Sequence, residues 1–327
     1  MNPRYDAPES GHKGSDNNHD VAVLVPCYNE ALAIEKVVLA FKACLPRASI
    51  YVYDNNSSDG TAEIARRAGA QVRHEQLQGK GNVVRRMFAD IDADVYVIVD
   101  GDDTYDAAMA PMMVEKLVEE HLDMVNGRRV ETQPENYRAG HRFGNVMITK
   151  IVGAMCGHRF NDVLSGFKIF SRRFVKSFPV LSSGFEIETE LTVHALEMRM
   201  PVAEVDIPYG NRPAGSTSKL NTYRDGLRIL LTILKLMKQE RPLQFFAAIA
   251  AVFGLSAIVL AWPLITEYLA TGLVPRLPTA VLVTGMMLAA FLSMACGLIL
   301  ESVTHGRREM KRLHYLAVPG PARKNVP

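Results

Sequence analysis

Short apolar runs alternate with helix-period segments over the first two thirds of the chain. Val21–Val25 is such a run, ending at Pro26, and Ala31–Cys44 carries apolar positions at helical spacing. Ile50–Tyr53 is a second run ending at Asp54, after which Asp59-Gly60-Thr61 opens a helix reaching Ala68. Val95–Val99 is a third, ending at Asp100; a helix near Pro111–Glu120 and a strand at Met124–Asn126 follow. Strands without a polar face, alternating with helices, predict an α/β fold with a mostly parallel sheet covered on both sides. Ligands of such sheets bind beyond the carboxyl ends of the strands.

The pattern changes after residue 223. Between Arg241 and Glu267 lie 25 residues without a formal charge, and between Arg276 and Glu301 lie 24 more. Each stretch is long enough to cross a hydrocarbon core of about 30 Å at roughly 1.5 Å per helical residue. Buried core helices are the alternative, but those seldom run past about 20 residues without a charge. Segments 242–266 and 277–300 therefore read as two transmembrane helices. Arg224, Arg228, Lys235, Lys238 and Arg241 precede the first, and Arg307, Arg308, Lys311, Arg312, Arg323 and Lys324 follow the second. The loop between holds only Arg276, so both termini and the soluble body are expected on the cytoplasmic side. Trp262 and Tyr268 near the outer end of the first span suit an interface. Segment 224–241 alternates Arg224, Arg228, Lys235 and Lys238 with Leu227, Ile229, Leu230, Ile233, Leu234 and Met237. It reads as an amphipathic helix on anionic headgroups, or as a helix packed on the soluble body with a solvated basic stripe.

Charge sharpens this division. Residues 1–223 carry 25 basic and 30 acidic residues, net −5, whereas 224–327 carry 12 basic and 5 acidic, net +7. An acidic body with a basic end speaks against a nucleic-acid binder and for an anionic surface near the C-terminus. At 327 residues and 48% hydrophobic, the chain can bury a core without staples. Cys27, Cys44, Cys156 and Cys296 form no CxxC pair, and His74, His141, His158 and His194 show no zinc spacing. Residues 1–19 are polar, without a secretory signal, and read as a disordered tail in which His12 and His19 are solvated.

Four polar clusters end the strands: Pro26-Cys27-Tyr28-Asn29-Glu30, the segment from Asp54 to Asp59, Asp100-Gly101-Asp102-Asp103, and Gly127-Arg128-Arg129. Each alone is compatible with turn chemistry, and Asp59 is as much a cap as a ligand contact. Their convergence on one rim points to a site. In an extended segment Asp100 and Asp102 face the same way, and Gly101 admits a close approach. Paired carboxylates completed by phosphate suit Mg2+ or Mn2+. Gly79-Lys80-Gly81 lacks the third glycine of a dinucleotide fingerprint, and no GxxxxGK[ST] occurs. A nucleoside diphosphate would then be held by the metal and by Arg or Lys.

PCYNE from Pro26, DNNSSDGT from Asp54, GKGNVVRR from Gly79, VDGDD from Val99, DVLSGFK from Asp162, the segment Gly184–Glu188 and an Arg212-to-Lys219 loop form an ordered set. The set resembles family 2 glycosyltransferases of the GT-A fold. With the two-span tail it is similar to their polyprenyl-phosphate branch, including dolichyl-phosphate mannose synthase and bacterial undecaprenyl-phosphate glucosyltransferases. The resemblance implies a GT-A domain over 20–223 and a basic cytoplasmic tail at 301–327. It implies that Pro26, Tyr28, Glu30 and Asp54 hold base and ribose with Lys80 nearby, and that Asp100 and Asp102 bind the metal. It implies that Arg129, Arg142 and Asn145 meet the acceptor phosphate while Arg212, Ser218 and Lys219 close over the diphosphates. Asn55-Asn56 departs from the usual acidic or serine pattern, and the third metal contact of relatives would fall on Thr104. Also implied are a nucleotide-sugar donor, UDP- or GDP-linked, a polyprenyl phosphate acceptor of undecaprenyl or dolichyl type, a bacterial inner-membrane location among membrane lipids, and a homo-oligomer, a tetramer by resemblance.

A lipid phosphate has a second pKa near 6 and is already an anionic nucleophile at neutral pH. A single in-line displacement by it inverts the anomeric centre, with Asp102 and the arginines as the catalytic groups. Asp103 is the candidate base if the acceptor is instead a hydroxyl. Glu186 and Glu188 are open between helix-dipole and functional roles. Gly254, Gly285 and Gly297 allow close helix contacts in the membrane. Two other readings stand: a processive polysaccharide synthase, against which Trp262 as the only tryptophan leaves no QxxRW motif, and a catalytically inactive nucleotide-binding membrane scaffold.

Overall fold

The computed structural model describes residues 19–131, 160–180, 186–210 and 237–320, with single positions at 147, 149, 153, 182, 184, 231, 234 and 235. The elements run β1 (Val21–Cys27), α1 (Ile34–Cys44), β2 (Ser49–Asp54), α2 (Thr61–Arg67), β3 (Gln71–His74), α3 (Lys80–Asp90) and β4 (Val95–Ile98). A 3-10 turn at Ala107–Met109 leads into α4 (Ala110–Glu119), β5 (Met124–Glu131), β6 (Lys168–Ser171), α5 (Arg172–Ser177), α6 (Ile187–Glu197) and β7 (Val202–Tyr209). The strands form one sheet in the order β3-β2-β1-β4-β6-β5-β7. All neighbours are parallel except β6, which runs against both β4 and β5.

Fully apolar strands build a core on each face of this sheet. Leu24 and Tyr96 pack with Met87, Phe88, Phe170 and Phe174 on one side. Val23, Val25 and Val97 pack with Ile34, Phe41, Met113 and Leu117 on the other. The mostly parallel sheet expected from the strand pattern is the one observed, with β6 as its antiparallel exception.

Several boundaries differ from the sequence reading. β1 continues through Pro26 to Cys27, because beyond Leu24 it pairs only with β2 and the missing proline N–H faces no partner on the β4 side. β5 does not stop at Asn126. Once β7 lies alongside, Gly127, Arg128 and Arg129 are paired with Val205, Asp206 and Ile207, so this cluster belongs to a strand and not to the loop after it. β3 escaped notice because Gln71–His74 is a polar, largely exposed edge strand. α3 opens with the polar Lys80-Gly81-Asn82 turn, which masks its periodicity.

Two long helices follow, α7 (Pro242–Thr271) and α8 (Leu277–Ala317), of 30 and 41 residues. Both are long and apolar enough to cross a membrane, with mean hydropathies of 2.3 and 2.1 over their most apolar windows and little of that surface buried. They pack side by side, Gly254 facing Ala290 and Gly297 facing Leu243 and Phe246. α7 ends at Gly272, whose φ of 69° closes the helix.

The segment after 300, expected as a tail, is instead the continuation of α8 to Ala317, and it returns to the soluble domain. Arg308 and Lys311 bond Glu197 at the end of α6, Arg308 Nη2 donates to the Glu240 carbonyl at 2.7 Å, and the Tyr315 hydroxyl donates to Asp123 at 2.7 Å. Arg173 pairs with the same Asp123 and lies 4.7 Å over the Tyr315 ring. These cations are therefore engaged by protein carboxylates. Of the basic positions flanking the spans, Arg224, Arg228, Arg323 and Lys324 lie outside the described residues; of the tail 1–19 only His19 is described, and it is not solvated as expected, since its side chain is 6% exposed and lies 3.9 Å from Asp94.

Candidate active site

The β1 and β2 loops are laced together at the carboxyl edge of the sheet. Asn29, at a left-handed φ of 55°, donates its amide to Ser57 Oγ and accepts at its side chain from the Ser58 amide. The Glu30 amide donates to Thr61 Oγ1 and the Ala31 amide to Asp59 Oδ2. Asp59 also accepts from the Thr61 amide, so it is a structural tie between the two loops. Burial opposes its charge, yet these hydrogen bonds hold the Asp59 carboxyl below the ordinary range.

Asp54 ends β2 and is buried. Its Oδ2 accepts from the Ser57 amide at 3.2 Å and faces His74 Nδ1 at 3.4 Å, while Oδ1 is buried with no hydrogen-bond partner. An orphaned carboxylate oxygen beside an open rim is an acceptor waiting for a donor. A cleft of about 300 Å3 lined by Asp54, Ser57, Thr61, Arg66, Arg73 and His74 opens next to it. Tyr28 is exposed above the β1 end.

Asn55 and Asn56 explain their departure from the family pattern. The Asn55 side chain donates to the carbonyls of Glu75 and Leu77 and accepts from the Gly79 amide at 2.7 Å. Asn56 donates to the Gln76 carbonyl. Together they peg the β3–α3 loop and thereby set the start of α3, where Lys80 stands.

Lys80 lies at the acidic rim, its Nζ donating to Asp100 Oδ1 and to Glu188 Oε1. Glu188, in the first turn of α6, is buried; burial and then the competing charges leave its carboxyl raised, with Lys80 opposing. The neighbouring Asp102 is also buried, and its Oδ1 accepts from Thr104 Oγ1 at 2.6 Å and from the Thr104 amide at 3.3 Å. Thr104 thus braces Asp102. Asp103, at φ 59°, turns to Lys36 on α1, 2.6 Å away. Gly101 allows the loop against β1, since a Cβ there would sit 2.6 Å from Cys27 Sγ. Gly166 leaves room for the Asp100 carboxylate, which a Cβ would overlap.

One thiol reports the convergence. Burial pushes the Cys27 thiol well up, and the charges of Glu30, Asp54, Asp100 and Asp102 push it further; Cys27 pairs with Asp54 in register and Gly101 lies against its Sγ. The β5 cluster joins them through Tyr209. Arg129 is held by Asp162 through Nε at 2.7 Å and Nη2 at 2.8 Å, and lies 5.4 Å over the Tyr209 ring. Burial, then the Asp102 charge, raise the Tyr209 phenol. Lys168, buried behind this layer, donates to Asn126 Oδ1, the Val163 carbonyl and Thr192; burial lowers its ammonium to about 8.

Asp100 and Asp102 are hard oxygen donors of the kind Mg2+ and Mn2+ take. Among the described residues no cluster of three or more metal-ligating side chains occurs. Pro26, Tyr28, Glu30, Asp54, Lys80, Asp100, Asp102, Asp103 and Arg129 are on the described structure; Arg142, Asn145, Arg212, Ser218 and Lys219 lie outside the described residues. Glu188, Asp162 and Tyr209 were not singled out as site residues. Glu188 had a signal, a first-turn glutamate in a motif segment, but nothing local told its function from a dipole preference.

The chain aligns with glycosyltransferase AglJ of Haloferax volcanii at 31% identity over 297 residues, covering 90% of this chain and 98% of that one. It belongs to glycosyl transferase family 2. The profile of this family matches residues 22–178. A dolichyl-phosphate hexose transferase of the same organism is 30% identical over 222 residues, 68% of this chain and 96% of that protein. Glucosyl-3-phosphoglycerate synthase of Mycobacterium tuberculosis, crystallised with phosphoglyceric acid, superposes with a TM-score of 0.56 at 21% identity, covering 68% of this chain and 80% of that one. The glycosyl transferase family 2 domain here has the GT-A fold, followed by two apolar helices.

Proposed function

We propose that this family 2 enzyme transfers a sugar, with inversion, from a UDP- or GDP-linked donor to a polyprenyl phosphate at the cytoplasmic face of a bacterial inner membrane. The observation that carries the reading is the presence, in one chain, of the Asp54–Asp100–Asp102 rim and of an apolar helix pair whose end is bonded back onto that domain. A relative named for dolichyl-phosphate hexose transfer supports the acceptor class. A neighbour crystallised with Mn2+, UDP and product supports the donor class and a divalent metal.

In this reading Pro26, Tyr28, Glu30 and Asp54 take the base and ribose. The orphaned Asp54 Oδ1 accepts a ring N–H, which uracil and guanine both present. Asp100 and Asp102 seat Mg2+ or Mn2+, and when bound the ion neutralises charge on the departing diphosphate. Arg129, oriented by Asp162 and Tyr209, meets the acceptor phosphate together with Arg142 and Asn145. Arg212, Ser218 and Lys219 close over the diphosphates and exclude water. The phosphate oxygen attacks the anomeric carbon as the bond to the diphosphate breaks, so no general base is required. Asp103, paired with Lys36, is not needed as one. The hairpin holds the site at the acceptor's headgroup level, and the enzyme works as a homo-oligomer, a tetramer in this reading.

A donor screen tests this. Purified full-length protein is incubated with undecaprenyl or dolichyl phosphate, Mn2+ or Mg2+ and radiolabelled UDP- and GDP-sugars. Label should enter the organic phase with one donor, and Asp102→Asn should abolish it. Transfer by that variant at the original rate rejects the metal assignment, and no transfer to any lipid phosphate rejects the acceptor.

A further inference from the structure

The metal-site carboxylate Asp100 does not stand alone: one ammonium is shared between it and Glu188. Lys80 Nζ donates to Asp100 Oδ1 and to Glu188 Oε1, with the Lys80 side chain 11% and the Glu188 side chain 9% exposed. The geometry is imposed from three directions. Asn55 pegs Gly79 and so fixes where α3 begins; α6 delivers Glu188 from 108 residues away; Gly166 leaves space for the Asp100 carboxylate. Nothing in the transfer chemistry uses Glu188, which is buried behind the rim and touches it through Lys80.

A cation this close to Asp100 should compete with a divalent metal. A single ammonium beside a single carboxylate would neutralise it and repel Mg2+ or Mn2+. Glu188 removes that conflict. Seen from the metal position, Lys80 and Glu188 together carry no net charge, so Asp100 keeps its negative charge while Lys80 still holds it in one orientation. Lys80 and Glu188 are shielded while the Asp100 side chain is 30% exposed, so solvent screens the compensation only in part.

We infer that Glu188 is a positioning residue for the divalent cation: by sharing Lys80 with Asp100 it cancels the lysine charge and so sets the metal affinity of the Asp100–Asp102 pair. The inference rests on the reading of that pair as the metal seat.

The test measures Mn2+ binding by electron paramagnetic resonance on full-length protein in nanodiscs, without donor, alongside circular dichroism to verify folding. Glu188→Gln should weaken Mn2+ binding by about tenfold or more, because the Lys80 charge then falls wholly on Asp100. Lys80→Gln should tighten it. The Lys80→Gln/Glu188→Gln double variant should return to within about threefold of wild type, since the removed pair is neutral. Glu188→Asp, which keeps the charge, should bind more tightly than Glu188→Gln and serves if the glutamine variant fails to fold. Equal Mn2+ affinity in wild type and Glu188→Gln, or weakened binding that the double variant does not recover, overturns the inference. If wild type and Asp102→Asn both bind no Mn2+, the metal seat itself is wrong and the inference falls with it; binding by wild type alone isolates the test to Glu188.

Discussion

Replacing Glu197 by glutamine should loosen the far end of α8 from the catalytic domain. The Glu197 side chain is 6% exposed and takes both Arg308, 27% exposed, and Lys311, 20% exposed. Deleting one partner of a fully buried pair costs about 3–5 kcal/mol. Here both cations reach water, Arg308 keeps its bond to the Glu240 carbonyl, and glutamine keeps one acceptor. The cost therefore falls to about 2 kcal/mol, near the value of one hydrogen bond to a charged group. At about 1.4 kcal/mol per factor of ten, backbone amides of residues 304–312 should exchange about 30-fold faster. Hydrogen exchange by mass spectrometry in nanodiscs reads this directly, with α3 amides as the unchanged reference. The Tyr315–Asp123–Arg173 contact lies further along and should limit the effect beyond residue 312. Unaltered exchange at 304–312 in a folded variant would show that these ion pairs do not hold the helix end.

The same junction should respond to pH. Burial and then the adjacent Glu197 charge raise the Glu240 carboxyl from 4.5 to about 7, so the folded state holds a proton that the unfolded chain releases. Its contribution is present in full below about pH 4.5 and lost as pH rises through about 7, so the thermal midpoint should fall over that interval and Glu240→Gln should flatten the profile. Gly166→Ala should leave the fold intact but rotate the Asp100 carboxylate away, abolishing Mn2+ binding and transfer together; retention of either contradicts the packing seen at this glycine. Asp162→Asn removes one of two bidentate contacts to Arg129 and should lower kcat by at least about tenfold with a smaller change in donor KM, measured by radiolabel transfer. Asn55→Ala deletes three hydrogen bonds that peg the β3–α3 loop and should cost about 2–3 kcal/mol in chemical denaturation of the soluble domain.

How far the chain could be read without its structure depended on the range of each signal. The parallel strands β1, β2 and β4 announced themselves as short apolar runs because both their faces are buried, and the two long apolar helices did so by length without charge. Asp54, Asp100 and Asp102 were legible in the sequence because Asp54 ends β2 and the other two come within four residues of the end of β4 at Ile98, and parallel strands send such ends to one edge. β3 and α3 were not, since an exposed edge strand and a polar first turn carry little periodicity. The polar segment Gly127–Arg129 was misjudged because its pairing depends on β7, nearly eighty residues later.

Local composition thus determined the layers, the acidic rim and the apolar helices, all of which depend on neighbours a few residues apart. Only the tertiary structure decided which charges meet: Lys80 with Glu188, Arg129 with Asp162, and the end of α8 with Glu197 and Asp123. The reason is physical. An apolar run is driven inward wherever it lies, but an ion pair exists only where the packing of distant elements brings two particular side chains within a few ångströms.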